Sequence, residues 1–100
     1  MSIRKLRNLR FQWYNSVSEG RQLELFAADE DGRPLKGIQY PLLSILADEQ
    51  SEELLIEFST SKGIVQVPVS EVKAIIEAAS GEVHSESWYE KNVYSRDENK

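Results

Sequence analysis

The residues best equipped for chemistry gather in one short stretch, "GEVHSESWYE", residues 81–90. It holds the chain's single histidine, His84, with Glu82 and Glu86 two positions to either side, Ser85 beside it and Ser87 beyond. On a strand Glu82, His84 and Glu86 would share a face, as a general base with its carboxylate or a metal ligand would require. The set is incomplete for both roles. A zinc site wants a second histidine or a thiolate, and the chain has no cysteine. Serine–histidine pairs assemble from distant segments rather than neighbours, and the sequence contains neither a glycine-flanked nucleophile elbow nor a phosphate-cradling glycine loop. His84 therefore reads as a surface or docking residue just past a helix, with Trp88 and Tyr89 as aromatic anchors behind it. The chain is expected to be non-enzymatic, with no cofactor and no metal.

Two acidic clusters are the next candidates, "DED" at residues 29–31 and "DEQSEE" at residues 48–53. Calcium needs alternating oxygen ligands around a glycine and a closing bidentate glutamate, which neither loop supplies. The alternative is recognition of a basic surface, in which Asp29, Glu30, Asp31, Asp48, Glu49, Glu52 and Glu53 steer a partner and Trp88 or Tyr89 supplies the desolvated contact. The charge distribution agrees. The formal net charge is -5 and the isoelectric point about 4.9. Through Arg21 the chain is net +4, so the acidic body carries -9. Such a body repels phosphate backbones and argues against nucleic acid as partner. An inhibitor or immunity-type protein that occludes a basic partner such as a toxin is the expected class. Two alternatives are an RNA-associated regulator using Arg4, Lys5, Arg7 and Arg10, and a structural homodimer built on a strand edge or the aromatic tail.

The 100 residues are enough for one domain, expected over 1–94, with the polar end 95–100 as a mobile tail. The lack of cysteine favours a reducing compartment, the cytoplasm, and no apolar run approaches the ~20 residues of a membrane span.

The elements that must position these residues read as an α+β fold, an antiparallel sheet of about five strands with two helices on one face, in the order β-β-β-α-β-β-α. "LRFQWYN" alternates as a strand, although Ile3, Leu6, Leu9, Trp13 and Val17 also fit a helical spacing over residues 3–17. "QLELFAADEDGRPLKGIQY" reads as a hairpin turning at Asp31-Gly32, with Leu25 opposite Ile38 and Leu23 opposite Tyr40. "LLIEFSTSKGIVQVPV" reads as a second hairpin turning at Lys62-Gly63, with Thr60 facing Val65, Phe58 facing Val67 and Glu57 facing Pro68. Pro68 places that last strand at an edge. "PLLSILAD" from Pro41 and the segment from Ser70 to Gly81 read as the helices, and Ser87–Glu90 as one further short turn.

Overall fold

The computed structural model describes residues 3–94. The chain's contacts group it into two compact units, one up to Ser70 and one from Glu71. The expected mobile end, 95–100, lies outside the described residues.

The first unit is an antiparallel meander of five strands, β1 (Leu9–Ser16), β2 (Gly20–Ala27), β3 (Leu43–Ala47), β4 (Leu54–Thr60) and β5 (Gly63–Pro68), in the spatial order β1-β2-β3-β4-β5. Helices α1 (Val69–Ala79) and α2 (Glu86–Tyr89) follow, and the class is α+β with five antiparallel strands and two helices, as expected. The alternation of Leu9, Phe11 and Trp13 does mark a strand, and Pro68 does end an edge strand.

Two segments differ from expectation. "PLLSILAD" is not a helix: Leu43–Ala47 is the central strand of the sheet, paired to β2 on one side and β4 on the other. A five-residue apolar run fits either period, and here alternation wins because both neighbouring strands offer unfilled ladders. The strand expected to lead into Tyr40 is the counterpart of that error. The turn expected at Asp31-Gly32 lies one residue earlier, at Glu30-Asp31, with the Gly32 N–H donating to the Asp29 carbonyl at 3.0 Å and the Asp29 N–H to the Arg33 carbonyl at 2.8 Å. Pairing then stops after the single bridge Ala28–Pro34. Proline has no N–H to continue a ladder, so Leu25 and Leu23 pair with Leu43 and Ile45 instead.

The β4–β5 hairpin is offset by two residues from its expected register, with Thr60 opposite Gly63, Phe58 opposite Val65 and Glu57 opposite Gln66. A slip of two leaves every side chain on its expected face, so hydrophobic pattern cannot distinguish the two registers. Turn chemistry decides. The Thr60 hydroxyl accepts from the Lys62 N–H at 3.1 Å and donates to the Gly63 carbonyl at 2.9 Å, and Gly63 takes φ +126° just beyond the Ser61-Lys62 turn.

Register divides the sheet into two unlike faces. Phe11 and Trp13, Leu23 and Leu25, Leu43 and Ile45, Ile56 and Phe58, and Val65 and Val67 share one face. The opposite face carries Gln12, Glu24, Ser44, Glu57 and Gln66. Among the described residues only Phe26, Ala27 and Ala28 form a buried apolar cluster, with the Tyr40 ring 5.4 Å from that of Phe26.

In the second unit Glu71 stands in the first turn of α1, and Gly81, at φ +80°, follows its end, as the sequence implies. The short helix α2 starts two residues earlier than expected: Ser85, not Ser87, is its cap, and its hydroxyl accepts from the Trp88 N–H at 3.2 Å. A π-helical turn, Glu90–Tyr94, completes the described chain.

Candidate functional site

The polar face of the meander contains one rung that crosses all five strands. Gln12 on β1 pairs with Glu24 on β2, Glu24 with Ser44 on β3, Ser44 with Glu57 on β4, and Glu57 with Gln66 on β5. The order is amide, acid, hydroxyl, acid, amide. Antiparallel neighbours stand about 4.8 Å apart, so the two acids have backbones roughly 10 Å apart with the small serine between them.

Each acid is held from the outer side of the sheet by a neutral donor. The Gln12 side-chain amide donates to Glu24 Oε1 at 3.0 Å, and that of Gln66 donates to Glu57 Oε1 at 2.8 Å. Tyr40, from the connection between β2 and β3, adds its hydroxyl to Glu24 Oε1 at 3.3 Å and accepts a short hydrogen bond from Gln12. None of these donors cancels charge. Burial, then the negative charge of Glu24 and the hydrogen bond to it, raise the Tyr40 pKa above the ordinary tyrosine range, which keeps its proton in place.

Ser44, at the middle of the rung, is 7% exposed as a whole residue, and its hydroxyl, which has no hydrogen-bond partner among the described residues, is not sealed from solvent. It lines a cavity of about 1200 Å³ that also takes in Glu24, Glu57 and Gln66. Among the described residues the acids lining this cavity are Glu19, Glu24, Asp48, Glu49 and Glu57, and no lysine, arginine or histidine lines it. Small-molecule pockets usually enclose roughly 300–1,000 Å³, so this hollow is on the scale of a segment of a larger partner.

The residues singled out in the sequence fall in three places. Asp48 and Glu49 line the cavity, whereas Glu52 and Glu53 stand exposed in the β3–β4 turn outside its lining. Asp29 and Asp48 are occupied in shaping turns. Asp29 Oδ1 accepts from the backbone N–H groups of Asp31 and Arg33, both at 2.9 Å. Asp48 Oδ1 accepts from those of Ser51 at 3.0 Å and Gln50 at 2.9 Å, and these bonds lower its pKa. Glu30 and Asp31 are exposed on the turn beyond Asp29.

Trp88 and Tyr89 belong to the second unit, where His84 joins them. Its ring stacks on Trp88 at 3.7 Å and 9°, Tyr89 stands edge-on to both rings, and His84 Nε2 donates to the Gly81 carbonyl at 2.9 Å. The histidine is thus held by an aromatic neighbour and a backbone carbonyl. Among the described residues no three His, Cys, Asp or Glu side chains gather as a metal site requires. Of the basic candidates, Arg10 lies against the Glu30-Asp31 turn: a Cβ added at Gly32 would stand 2.8 Å from its guanidinium carbon.

Sequence reasoning missed Gln12, Glu24, Ser44, Glu57 and Gln66 as a set. Their signal is nonetheless present, since each is the polar centre of an apolar triplet: FQW, LEL, LSI, IEF and VQV. No helix among the described residues is long and apolar enough to cross a membrane. Comparison with protein-family models, curated proteins and solved structures finds no match to this chain.

Proposed function

We propose that this chain is a non-enzymatic binding protein, of the inhibitor or immunity type, that takes a basic protein partner on the polar face of its sheet. The observation that carries the reading is a cavity lined, among the described residues, by five acids and no cation, in which Glu24 and Glu57 are held by neutral donors. Fixed acids on a β-scaffold attract a cationic surface at long range and lose little side-chain entropy when it arrives. The acids of the Asp48–Glu53 turn contribute to steering. The test is calorimetric titration with a lysine- and arginine-rich peptide at rising salt. Expected is saturable binding that weakens with salt and falls further in E24Q/E57Q. Binding unchanged in that variant, or none at low salt, overturns the proposal.

A second reading, self-association, is favoured by the other face. Leu9, Phe11, Trp13, Leu54 and Val65 are 37–60% exposed there. By register this face has no carboxylate, and its one ionised side chain, Arg21, stacks over the Trp13 ring at 4.2 Å. Five strands of roughly six residues present about 24 by 20 Å in projection. With side-chain relief that approaches the lower range of stable interfaces, roughly 600–800 Å² per partner. A second copy meets this face with its own neutral, apolar counterpart, the carboxylates of both copies facing away. Sedimentation equilibrium should give a dimer that F11E/V65E converts to monomer. A monomer mass at all concentrations would contradict self-association, whether the face is then covered within the chain or by another protein.

A further inference from the structure

We infer that Glu24, Ser44 and Glu57 form a receptor for one primary ammonium group, the side chain of a lysine presented by the basic partner. The inference rests on the binding role proposed above and specifies its chemistry.

The argument is one of matched valence. On both acids the hydrogen bonds from Gln12, Tyr40 and Gln66 fall on Oε1, and neither Oε2 has a partner among the described residues. Ser44, on the strand between them and lining the same cavity, adds a third acceptor without a partner among the described residues. An ammonium group carries three N–H donors on a compact head and a slim stem, one donor for each vacant acceptor. A guanidinium is a planar fork suited to gripping one carboxylate edge, and it is mismatched to three acceptors strung along a rung.

The serine sharpens the point. No buried side-chain nitrogen or oxygen among the described residues lacks a partner, so the Ser44 hydroxyl is open to the cavity it lines. Valine or threonine would suit a central strand better on propensity alone. At this position the small side chain keeps the centre of the rung open and the hydroxyl offers a contact at its base.

The experiment is an NMR titration of the full chain with three small probes, Nα-acetyl-lysine N-methylamide, its arginine counterpart and tetramethylammonium, followed by spermidine and a lysine-bearing basic peptide. Expected are saturable amide shifts centred on Glu24, Ser44 and Glu57 with the lysine probe, affinity about tenfold weaker with arginine, and no response to tetramethylammonium, which has no N–H. E57Q and, separately, S44A should each weaken the lysine probe by about tenfold, and S44A keeps the measurement open if the acid variant fails to fold. Equal binding of all three probes reduces the site to unspecific charge and overturns the receptor. Spermidine binding far more tightly than a lysine-bearing peptide overturns the macromolecular source in favour of a free amine. A basic peptide that binds but shifts only residues 48–53 overturns the receptor and leaves the protein-binding role standing. No binding of any basic peptide removes both.

Discussion

Glu24 and Glu57 stand on the same rung of alternate strands, one to each side of Ser44, and each is gripped from its outer edge by a glutamine on the strand beyond. The arrangement is nearly symmetrical about β3. Four strand pairings must be in register for it to exist, so the sheet's topology and the site's geometry are one fact seen at two scales.

The unpartnered Ser44 hydroxyl makes a specific prediction about stability. Removing a hydroxyl that bonds no described residue and is open to the cavity should cost little, so S44A is expected to unfold in urea within about 0.5 kcal/mol of the parent chain. A loss of several kcal/mol would mean the hydroxyl has a structural partner.

Tyr40 reports on the charge of Glu24. Its raised pKa means that the neutral phenol contributes stability in full below the ordinary tyrosine pKa, and that this contribution is lost as pH rises through the higher folded value. E24Q removes the negative charge while burial, the largest cause, remains, so ultraviolet titration should find Tyr40 closer to an ordinary tyrosine. An unchanged titration would remove Glu24 from its surroundings.

Asp48 acts at the other end of the pH scale. Hydrogen bonds from Ser51 and then Gln50 lower its pKa, so its contribution is present above the ordinary carboxylate pKa and disappears as pH falls through the depressed folded value. D48A should lower the urea midpoint at neutral pH and flatten its fall in acid. A variant with the parent's full acid dependence would show that the β3–β4 turn does not rely on this carboxylate.

The Thr60 hydroxyl selects the β4–β5 register through its bonds to Lys62 and Gly63. T60V keeps shape and β-propensity but loses both bonds, at an expected cost of about 1 kcal/mol in urea unfolding, while T60S retains most of the stability. Cross-strand NOEs in T60V should show Phe58 sampling Val67 as well as Val65. Unaltered stability would assign the register to packing alone.

These residues also show what could be read from the chain. Alternation was enough to find β1, β4, β5 and the faces of the last hairpin, because a half-buried strand imposes period two wherever it pairs. It was not enough for "LSILA", where apolar residues on both sides of the strand blur the period, nor for register, where a slip of two is invisible to pattern. The candidate site suffered most. Glu24 and Glu57 each looked like the outward half of a local hairpin, and their meeting across Ser44 depends on β3 lying between β2 and β4. Conspicuous acids such as Asp29 and Asp48 drew notice through clustering, yet their side chains largely bond their own turns.

The most direct test of the shared-cation site is a double-mutant cycle on affinity for a lysine-bearing peptide, using E24Q, E57Q and the pair, with E49Q as a control at the cavity rim. Two acids that hold one ammonium should each cost about tenfold when neutralised, and the double variant should lose measurably less than the product of the two. Strictly multiplicative losses, no larger than that of E49Q and erased by salt, would contradict a common cation and leave only a diffuse acidic surface.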